Sequence, residues 1–362
     1  MKILIVRMSS LGDVIQAMPV VADLLAQQPN AQIDWVAEEA FAPLLTRVHG
    51  LHRVLPIAQR RWRKQPFSVE VRAQKKAFHA DLQATRYDAV LDLQGLVKSA
   101  WVARQAKLSP GGFRATYGNA SELCSWEWPV RFLLDKPVAM ERVVHAVQRP
   151  RLLAARALGY ALAGPPRYRL QAQALTDFDA APDNSVVLVH GTTRLDNEWP
   201  VAHWIELGVR LLAAGWHVAL PQASAAEHAR AQAIAQGIAQ GIAQGITQAV
   251  PRSTTDTGPA LAGAVQVWPR LALPQVLDRL AASSGVIGID TGLSHLAVAL
   301  DLPHVQLFSQ PRIARAGPLP CAHQLAVGGE AAPSVATVWQ AWQQVVAAKP
   351  QPNAAHAWAA PA

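Results

Sequence analysis

Cysteine is nearly absent: the 362 residues hold two, Cys124 and Cys321, far apart and in unrelated contexts. That excludes a disulfide framework and points to no cysteine-built metal site. Twelve histidines are scattered without ligand spacing, so no metal is expected. No apolar run reaches the roughly 18 residues needed to span a bilayer. The first apolar stretch, residues 3–6, ends after four residues at Arg7, too short for the hydrophobic region of a secretory leader. A cytoplasmic protein is expected. Charge is sparse too, at 16% of residues, whereas 51% are hydrophobic, so a chain of this length can bury two cores.

What charge there is leans positive, with a net +8. Arg60-Arg61-Trp62-Arg63-Lys64 and Lys75-Lys76 concentrate it in the first half. A charge run is most often a solvated face. Here no acidic residues alternate with it and a tryptophan sits inside it. An anionic substrate, an anionic membrane surface or nucleic acid are then the candidate partners.

The hydrophobic pattern alternates strand and helix. Strands are expected at 3–6, 33–36 and 89–93, and helices at 14–27, 41–48, 69–84 and 145–158. Residues 108–135 read as irregular. A second alternation starts with a strand at 185–190. Helices at 201–214, 225–235 and 291–300 then interleave with strands at 216–220, 285–289 and 304–308. Strands separated by helices make parallel sheets. The fold class expected is α/β, with two Rossmann-like doubly wound parallel-sheet domains facing a cleft. The boundaries are 1–170, a linker at 171–183, and 184–333. A helix at 334–348 and a disordered tail at 349–362 follow. Within the second domain, Ile234-Ala-Gln-Gly is repeated from Ile238 and again from Ile242. Each glycine costs a helix about 1 kcal/mol. Residues 236–264 are expected to be a repeat and loop insertion without function, lengthening and fraying a helix.

Three stretches at strand ends carry candidate chemistry. Ser9-Ser10-Leu11-Gly12-Asp13 leaves the first strand. Ser10 and Asp13 fit a helix capping box. Equally, Asp13 lies where open α/β sheets bind ligands. His190-Gly-Thr192-Thr193-Arg194 leads to Asn197 and Trp199-Pro200 and suits an anion, or is a polar loop satisfying its own backbone. Asp290-Thr291-Gly292-Leu-Ser-His295 opens a helix whose first amides suit a phosphate. The alternative is an ordinary capped helix with His295 packed on a neighbour. Two such loops in one domain favour a nucleotide diphosphate. Asp177-Phe-Asp179 imitates a metal-binding D-x-D motif but falls in the linker, and is taken as chance.

These phrases occur in one order: the Ser9–Asp13 stretch, Ile33-Asp34-Trp35-Val36, the basic run at 60–64, Asp92-Leu-Gln-Gly-Leu-Val-Lys98, Trp199-Pro-x-x-His-Trp204 and Asp290-x4-His295. So arranged, over roughly residues 1–345, the chain resembles the lipopolysaccharide heptosyltransferases of glycosyltransferase family 9, and the phrases at 60–64 and 94–100 are most like its type I members. The resemblance implies a GT-B fold and a metal-independent, inverting transfer with no cofactor. The donor would be ADP-L-glycero-D-manno-heptose, and the acceptor Kdo of Kdo2-lipid A. Residue by residue, it makes Asp13 the general base. It gives Thr192, Thr193, Arg194, Asn197, Glu227, Asp290, Thr291, Gly292 and His295 to the donor. Ser10, Gly12, Arg60, Arg61, Arg63, Lys64 and Lys98 go to the anionic acceptor. It also implies peripheral contact with the cytoplasmic face of the inner membrane and no nucleic acid, for which no motif accompanies the charge. Oligomeric state is left open. Two departures stand out. Asn197 replaces a family lysine, and Leu220-Pro-Gln-Ala223 replaces Leu-Pro-Trp-Gly. They leave room for a type II-like heptosyltransferase, or for a drifted, weakly active nucleotide or lipopolysaccharide binder.

Overall fold

The computed structural model describes residues 1–175, 184–192, 194–243 and 263–348. Asp177-Phe-Asp179, Thr193, the middle of the insertion and the tail lie outside these residues. The chain divides into one unit over Met1–Gln171 and a second from Ala172 onward.

The first unit runs β1 (Lys2–Val6), α1 (Leu11–Ala17), α2 (Pro19–Gln27), β2 (Gln32–Glu38), α3 (Ala42–Leu45), β3 (Arg53–Ile57), α4 (Gln59–Trp62), α5 (Val69–Gln83), β4 (Arg86–Asp92), α6 (Val97–Gln105), β5 (Lys107–Tyr117), α7 (Val130–Leu133), β6 (Lys136–Val138) and α8 (Gln148–Leu158). All six strands are parallel, in the order β3-β2-β1-β4-β5-β6. Ile3, Leu4, Ile5 and Val6 are all fully buried, as a parallel strand covered on both faces requires.

Three of these strands were not expected, and each has a local cause. β3 carries Pro56, which can neither donate to a ladder nor sit in a central strand; β3 is an edge strand. β5 carries Gly111-Gly112, which reads as loop. The glycines form a bulge where the register with β4 shifts between Tyr87 and Ala89. A Cβ on Gly112 would lie 2.7 Å from the Tyr87 carbonyl oxygen, so only glycine fits. β6 is three residues long, too short for a periodicity signal.

Two buried charges here are answered by ion pairs. Asp34 on β2 accepts from Arg53 (2.8 Å) and Tyr87 (2.7 Å), and its other oxygen meets His52 (2.9 Å). The fully buried Arg151 of α8 forks onto Asp23 of α2 at 2.7 and 2.9 Å. Trp62, inside the basic run, is also buried: it meets Phe78 edge-on at 6.0 Å and donates to Gln74 at 2.9 Å. The tryptophan anchors the run, and its cations point outward.

The second unit runs β7 (Ser185–Val189), α9 (Val201–Ala213), β8 (His217–Leu220), α10 (Ala225–Ala243), β9 (Val265–Val267), α11 (Leu273–Ala281), β10 (Gly285–Ile289), α12 (Gly292–Ala299), β11 (His304–Phe308), α13 (Ile313–Ala316), β12 (Gln324–Gly328) and α14 (Val335–Ala347). Its six parallel strands repeat the first topology as β12-β11-β10-β7-β8-β9.

The described part of the tetrapeptide repeat, to Ala243, is absorbed into α10. Ile234 and Ile238 are fully buried, and the helix runs unbroken to Ala243. The glycines let two helices approach. A Cβ on Gly208 of α9 would lie 2.2 Å from Ile238, and one on Gly237 would lie 2.3 Å from Ile205. The expected helix penalty of glycine is therefore offset by close packing.

His304 on β11 is fully buried; its Nδ1–H donates to the Val286 carbonyl at 2.9 Å. Burial holds its pKa down at about 4, against the ordinary 6.5. The folded ring stays neutral while the unfolded ring takes up a proton below 6.5. Stability is therefore present above that pH and is lost as pH falls toward 4, by up to about 3 kcal/mol for this one group. In His304→Gln the unfolding midpoint should fall less steeply from pH 6.5 to 4.5 than in the wild type. Parallel loss in both proteins would remove His304 as a source of acid sensitivity.

Candidate active site

In each sheet the strand order reverses beside the first strand, between β1 and β4 and between β7 and β10. The loops there turn to opposite faces and leave a crevice at the carboxyl ends of the strands. The candidate residues collect at these two places.

At the first, Arg7 and Asp13 follow β1. An Arg7 Nη2 lies 2.8 Å from Asp13 Oδ1, and Nη1 donates to the Leu93 carbonyl just past β4 at 2.6 Å. Asp13 Oδ2 accepts from the Ser10 amide (3.0 Å) and the Ser10 hydroxyl (2.8 Å). The carboxylate half of the capping box is thus made. The Ser10 hydroxyl turns to the carboxylate. Asp13 is held on both oxygens and keeps a quarter of its side chain exposed (27%), so a substrate hydroxyl can reach it.

At the end of β4, Asp92 is fully buried. Burial pushes its carboxyl above the usual range, against hydrogen bonds from Ser99, the Gln94 and Gly95 amides and Thr116. These bonds shape the turn from which α6 presents Lys98. Loss of hydration and repulsion from Arg60 and Arg63 pull the Lys98 ammonium down. Glu38, buried at the end of β2, has its carboxyl pushed up by burial against the nearby charges of Arg60 and Lys98. Arg60 also lies over the Phe41 ring, at 5.7 Å. Arg60, Arg63 and Lys98 therefore gather, with Lys64 exposed beside them. Arg61 differs: it forks onto Glu39 at 3.0 and 2.8 Å and onto Gln74 at 2.8 Å, so most of its charge is answered within the chain. Sequence reasoning missed Arg149 of α8. It is buried, its guanidinium lies 3.7 Å over the Tyr117 ring, and it has no carboxylate partner among the described residues. An arginine on an apolar helix face was its only signal.

At the second crevice, Thr291 is the N-cap of α12, in extended conformation, with its Oγ1 buried and without a hydrogen-bond partner. Gly292 is the first helical residue. The leading amides of a helix lack intrahelical acceptors and carry the positive end of its dipole. Asp290 lies 3.2 Å from His295 Nε2 and accepts from Gln306 at 3.2 Å. Burial alone would raise the Asp290 carboxyl. The His295 hydrogen bond and charge, with Arg315 and Arg312 beyond, outweigh burial and hold it below the usual value.

After β7, His190 is fully buried and held down at about 4 by burial, with the Arg230 charge adding. Gly191 lies against Glu227, whose carboxyl carbon would be 3.0 Å from a Cβ there. Glu227 caps α10: it accepts from the Ala223 amide at 2.7 Å and donates its own amide to Ser224 at 3.2 Å. Thr192 accepts from the Arg194 amide at 3.1 Å, and the Arg194 side chain pairs with Asp196 at 2.6 Å. Asn197 is buried, with its amide given to the Asp290 carbonyl at 2.9 Å. Its position is that of a brace for the Asp290 turn, and no ligand contact follows from it.

Arg312 and Arg315, just after β11, are the second omission of the sequence reading. Burial, then repulsion from Arg194 and Arg315, pull the Arg312 guanidinium down. Three guanidinium groups thus crowd the turn that opens α12, an arrangement suited to a multiply charged anion.

The chain matches the model of "Glycosyltransferase family 9 (heptosyltransferase)" over residues 76–335. It is 36% identical over 312 residues to the lipopolysaccharide heptosyltransferase 1 of Pseudomonas aeruginosa, covering 85% of this chain and 78% of that one. Its structure is similar to "E. coli heptosyltransferase WaaC with ADP", with a TM-score of 0.77 and 31% identity over 94% of this chain and 98% of that one. The same enzyme with ADP-2-deoxy-2-fluoro heptose gives a TM-score of 0.72 and 32% identity, again over 94% and 98%.

Close contact between α12 and β10 sets the geometry of the Asp290 turn. A Cβ on Gly288 would lie 2.6 Å from Ser294 Oγ and 2.8 Å from Val189 Cβ. Gly288→Ala should lower unfolding free energy by about 1–3 kcal/mol. Denaturant unfolding indistinguishable from wild type would show that α12 can shift without cost.

Proposed function

The chain belongs to glycosyltransferase family 9 and has the GT-B fold, and on that premise we propose how its two crevices divide one reaction. It is a lipopolysaccharide heptosyltransferase, acting in assembly of the inner core. Heptose moves from ADP-L-glycero-D-manno-heptose to a hydroxyl of Kdo on Kdo2-lipid A, with inversion. The observation that carries this reading is a pairing of unlike sites. One switch point holds an accessible carboxylate; the other holds a helix N-terminus ringed by three guanidinium groups.

The acceptor hydroxyl oxygen attacks the anomeric carbon on the face opposite the pyrophosphate. The bond from that carbon to the leaving oxygen breaks, and its electron pair goes to ADP. The hydroxyl proton passes to the Asp13 carboxylate. A carboxylate is a weak base, so its contribution is position. Arg7 and the two Ser10 donors supply that position. Negative charge grows on the leaving pyrophosphate, where the amides following Thr291 and the charges of Arg194, Arg312 and Arg315 stabilise it. These groups do what a divalent cation does elsewhere, and the proposed step has no metal in it. Arg312 also answers the missing lysine at 197. Thr192, Thr193, Glu227, Asp290 and His295 shape the donor pocket, and Asn197 braces it. Ser10 and Gly12 form the turn that carries the base. Arg60, Arg63, Lys64 and Lys98, with a smaller share from Arg61, receive the acceptor's carboxylates and phosphates.

Such an acceptor implies work at the cytoplasmic face of the inner membrane, with peripheral contact. In support, no helix among the described residues is long and apolar enough to cross a membrane. The first unit also exposes Phe67, Trp101, Trp128 and Phe132, with the Arg131 guanidinium over the Phe132 ring at 5.1 Å. Aromatic rings beside cations suit an anionic headgroup layer.

With ADP-heptose and Kdo2-lipid A, Asp13→Asn should lower kcat by about 100-fold or more and leave ADP affinity as it was. Near-normal turnover would take Asp13 out of the step. Arg312→Gln should weaken ADP binding about tenfold, the value of one charge-assisted hydrogen bond. Calorimetry giving an unchanged Kd would separate Arg312 from the pyrophosphate.

A further inference from the structure

The second sheet has another cluster at its opposite, amino-terminal edge. Asp301 follows the C-cap of α12 in the left-handed conformation (φ 58°), just before β11. Cys321 and His323 lie in a tight turn before β12, closed by an antiparallel bridge between Cys321 and Gln324. His323 Nε2 lies 2.8 Å from Asp301 Oδ1 and 3.7 Å from Cys321 Sγ, which is also 3.1 Å from Nδ1. One ligand atom from each residue falls within 4.8 Å of the other two. Cys321 is a free thiol.

We infer that Asp301, Cys321 and His323 form a binding site for a thiophilic divalent cation, of which Zn²⁺ fits the donor set best. One sulfur, one imidazole nitrogen and one carboxylate oxygen are ligands zinc takes readily, and hard cations such as Mg²⁺ do not seek thiolate. Zinc bonds of about 2.0–2.3 Å put neighbouring tetrahedral ligands roughly 3.5 Å apart. Cys321 Sγ, nearer Nδ1 (3.1 Å) than Nε2 (3.7 Å), has to swing round the ring, or the ring has to turn, before sulfur and Nε2 share one cation. Asp301 has to withdraw by a few tenths of an ångström, and its partly exposed side chain has room to do so. His323 is buried, whereas Cys321 and Asp301 are partly open, which leaves the fourth position to water. On binding, the thiol proton leaves to solvent and a metal–sulfur bond forms. The cation would tie the end of α12 to the start of β12. It would brace the helix whose other end carries Thr291 and Gly292, and take no part in heptose transfer. Because the site is at the far edge of the sheet, this inference stands whether or not the proposed step is correct.

The test is Co²⁺ titration of the untagged, reduced, metal-stripped full chain. A thiolate-to-cobalt charge-transfer band should appear, saturate at one equivalent and be displaced by Zn²⁺. It should survive Cys124→Ser and vanish in Cys321→Ser. His323→Gln and Asp301→Asn should each weaken Co²⁺ binding by about tenfold or more. Asparagine tolerates the left-handed conformation, so Asp301→Asn keeps the backbone. Zn²⁺ should raise the unfolding temperature of the wild type and not that of Cys321→Ser. Absence of the band, a band surviving Cys321→Ser, or one indifferent to both His323→Gln and Asp301→Asn would overturn the inference.

Discussion

The constraint on which the rest of the structure depends is the reversal of strand order beside the first strand of each parallel sheet. A parallel strand must be covered on both faces, so its helices alternate sides. Where the order reverses, two successive loops part and expose strand ends. The candidate site residues of the two units lie there: a carboxylate fixed on both oxygens after β1, a buried aspartate at the end of β4, and a helix opening after β10 on a threonine whose hydroxyl has no partner. The sheets themselves hold mostly apolar side chains, and so make a stiff mount for these groups.

The two crevices have opposite electrostatic tasks. In the first, Asp13 stands against Arg7 and keeps an open side, with more cations gathered at Lys98 and Arg60. In the proposed reaction an anionic acceptor would be drawn in while its hydroxyl meets the one accessible carboxylate described at that turn. In the second, the acid is turned inward: Asp290 is shared with His295 and Gln306, and the helix dipole and guanidinium groups point the other way. A base and an anion trap would neutralise each other in one pocket. In the proposed reaction, separate sheets would keep both active.

Much of this was legible in the sequence because the motifs are local. Ser9–Asp13 and Asp290–His295 each join a strand end to a helix start, and short spacing suffices to read them. The central strands were legible for a similar reason: burial on both faces makes them continuous apolar runs. The edges were not. Pro56 in β3 and Gly111-Gly112 in β5 are rule-breaking residues that an edge or a bulge accommodates, so they read as loop. The repeat in α10 reads as costly, yet Gly237 within it is a contact point with α9. Arg312 escaped because it reaches the Asp290 turn from another strand, and Arg149 because nothing near it in sequence marks it. Cys321 and His323 are two residues apart, a hint in themselves, but Asp301 joins them only once β11 and β12 lie side by side.

The central claim is a single displacement, with Asp13 taking the proton and ADP leaving from the opposite face. The anomeric configuration of the newly formed linkage tests it most directly. It can be read by NMR on product made from donor of defined configuration. The linkage should be inverted relative to the donor. Retention would require attack from the face the leaving group departs, or two successive displacements, and would contradict the single displacement in which Asp13 is the base.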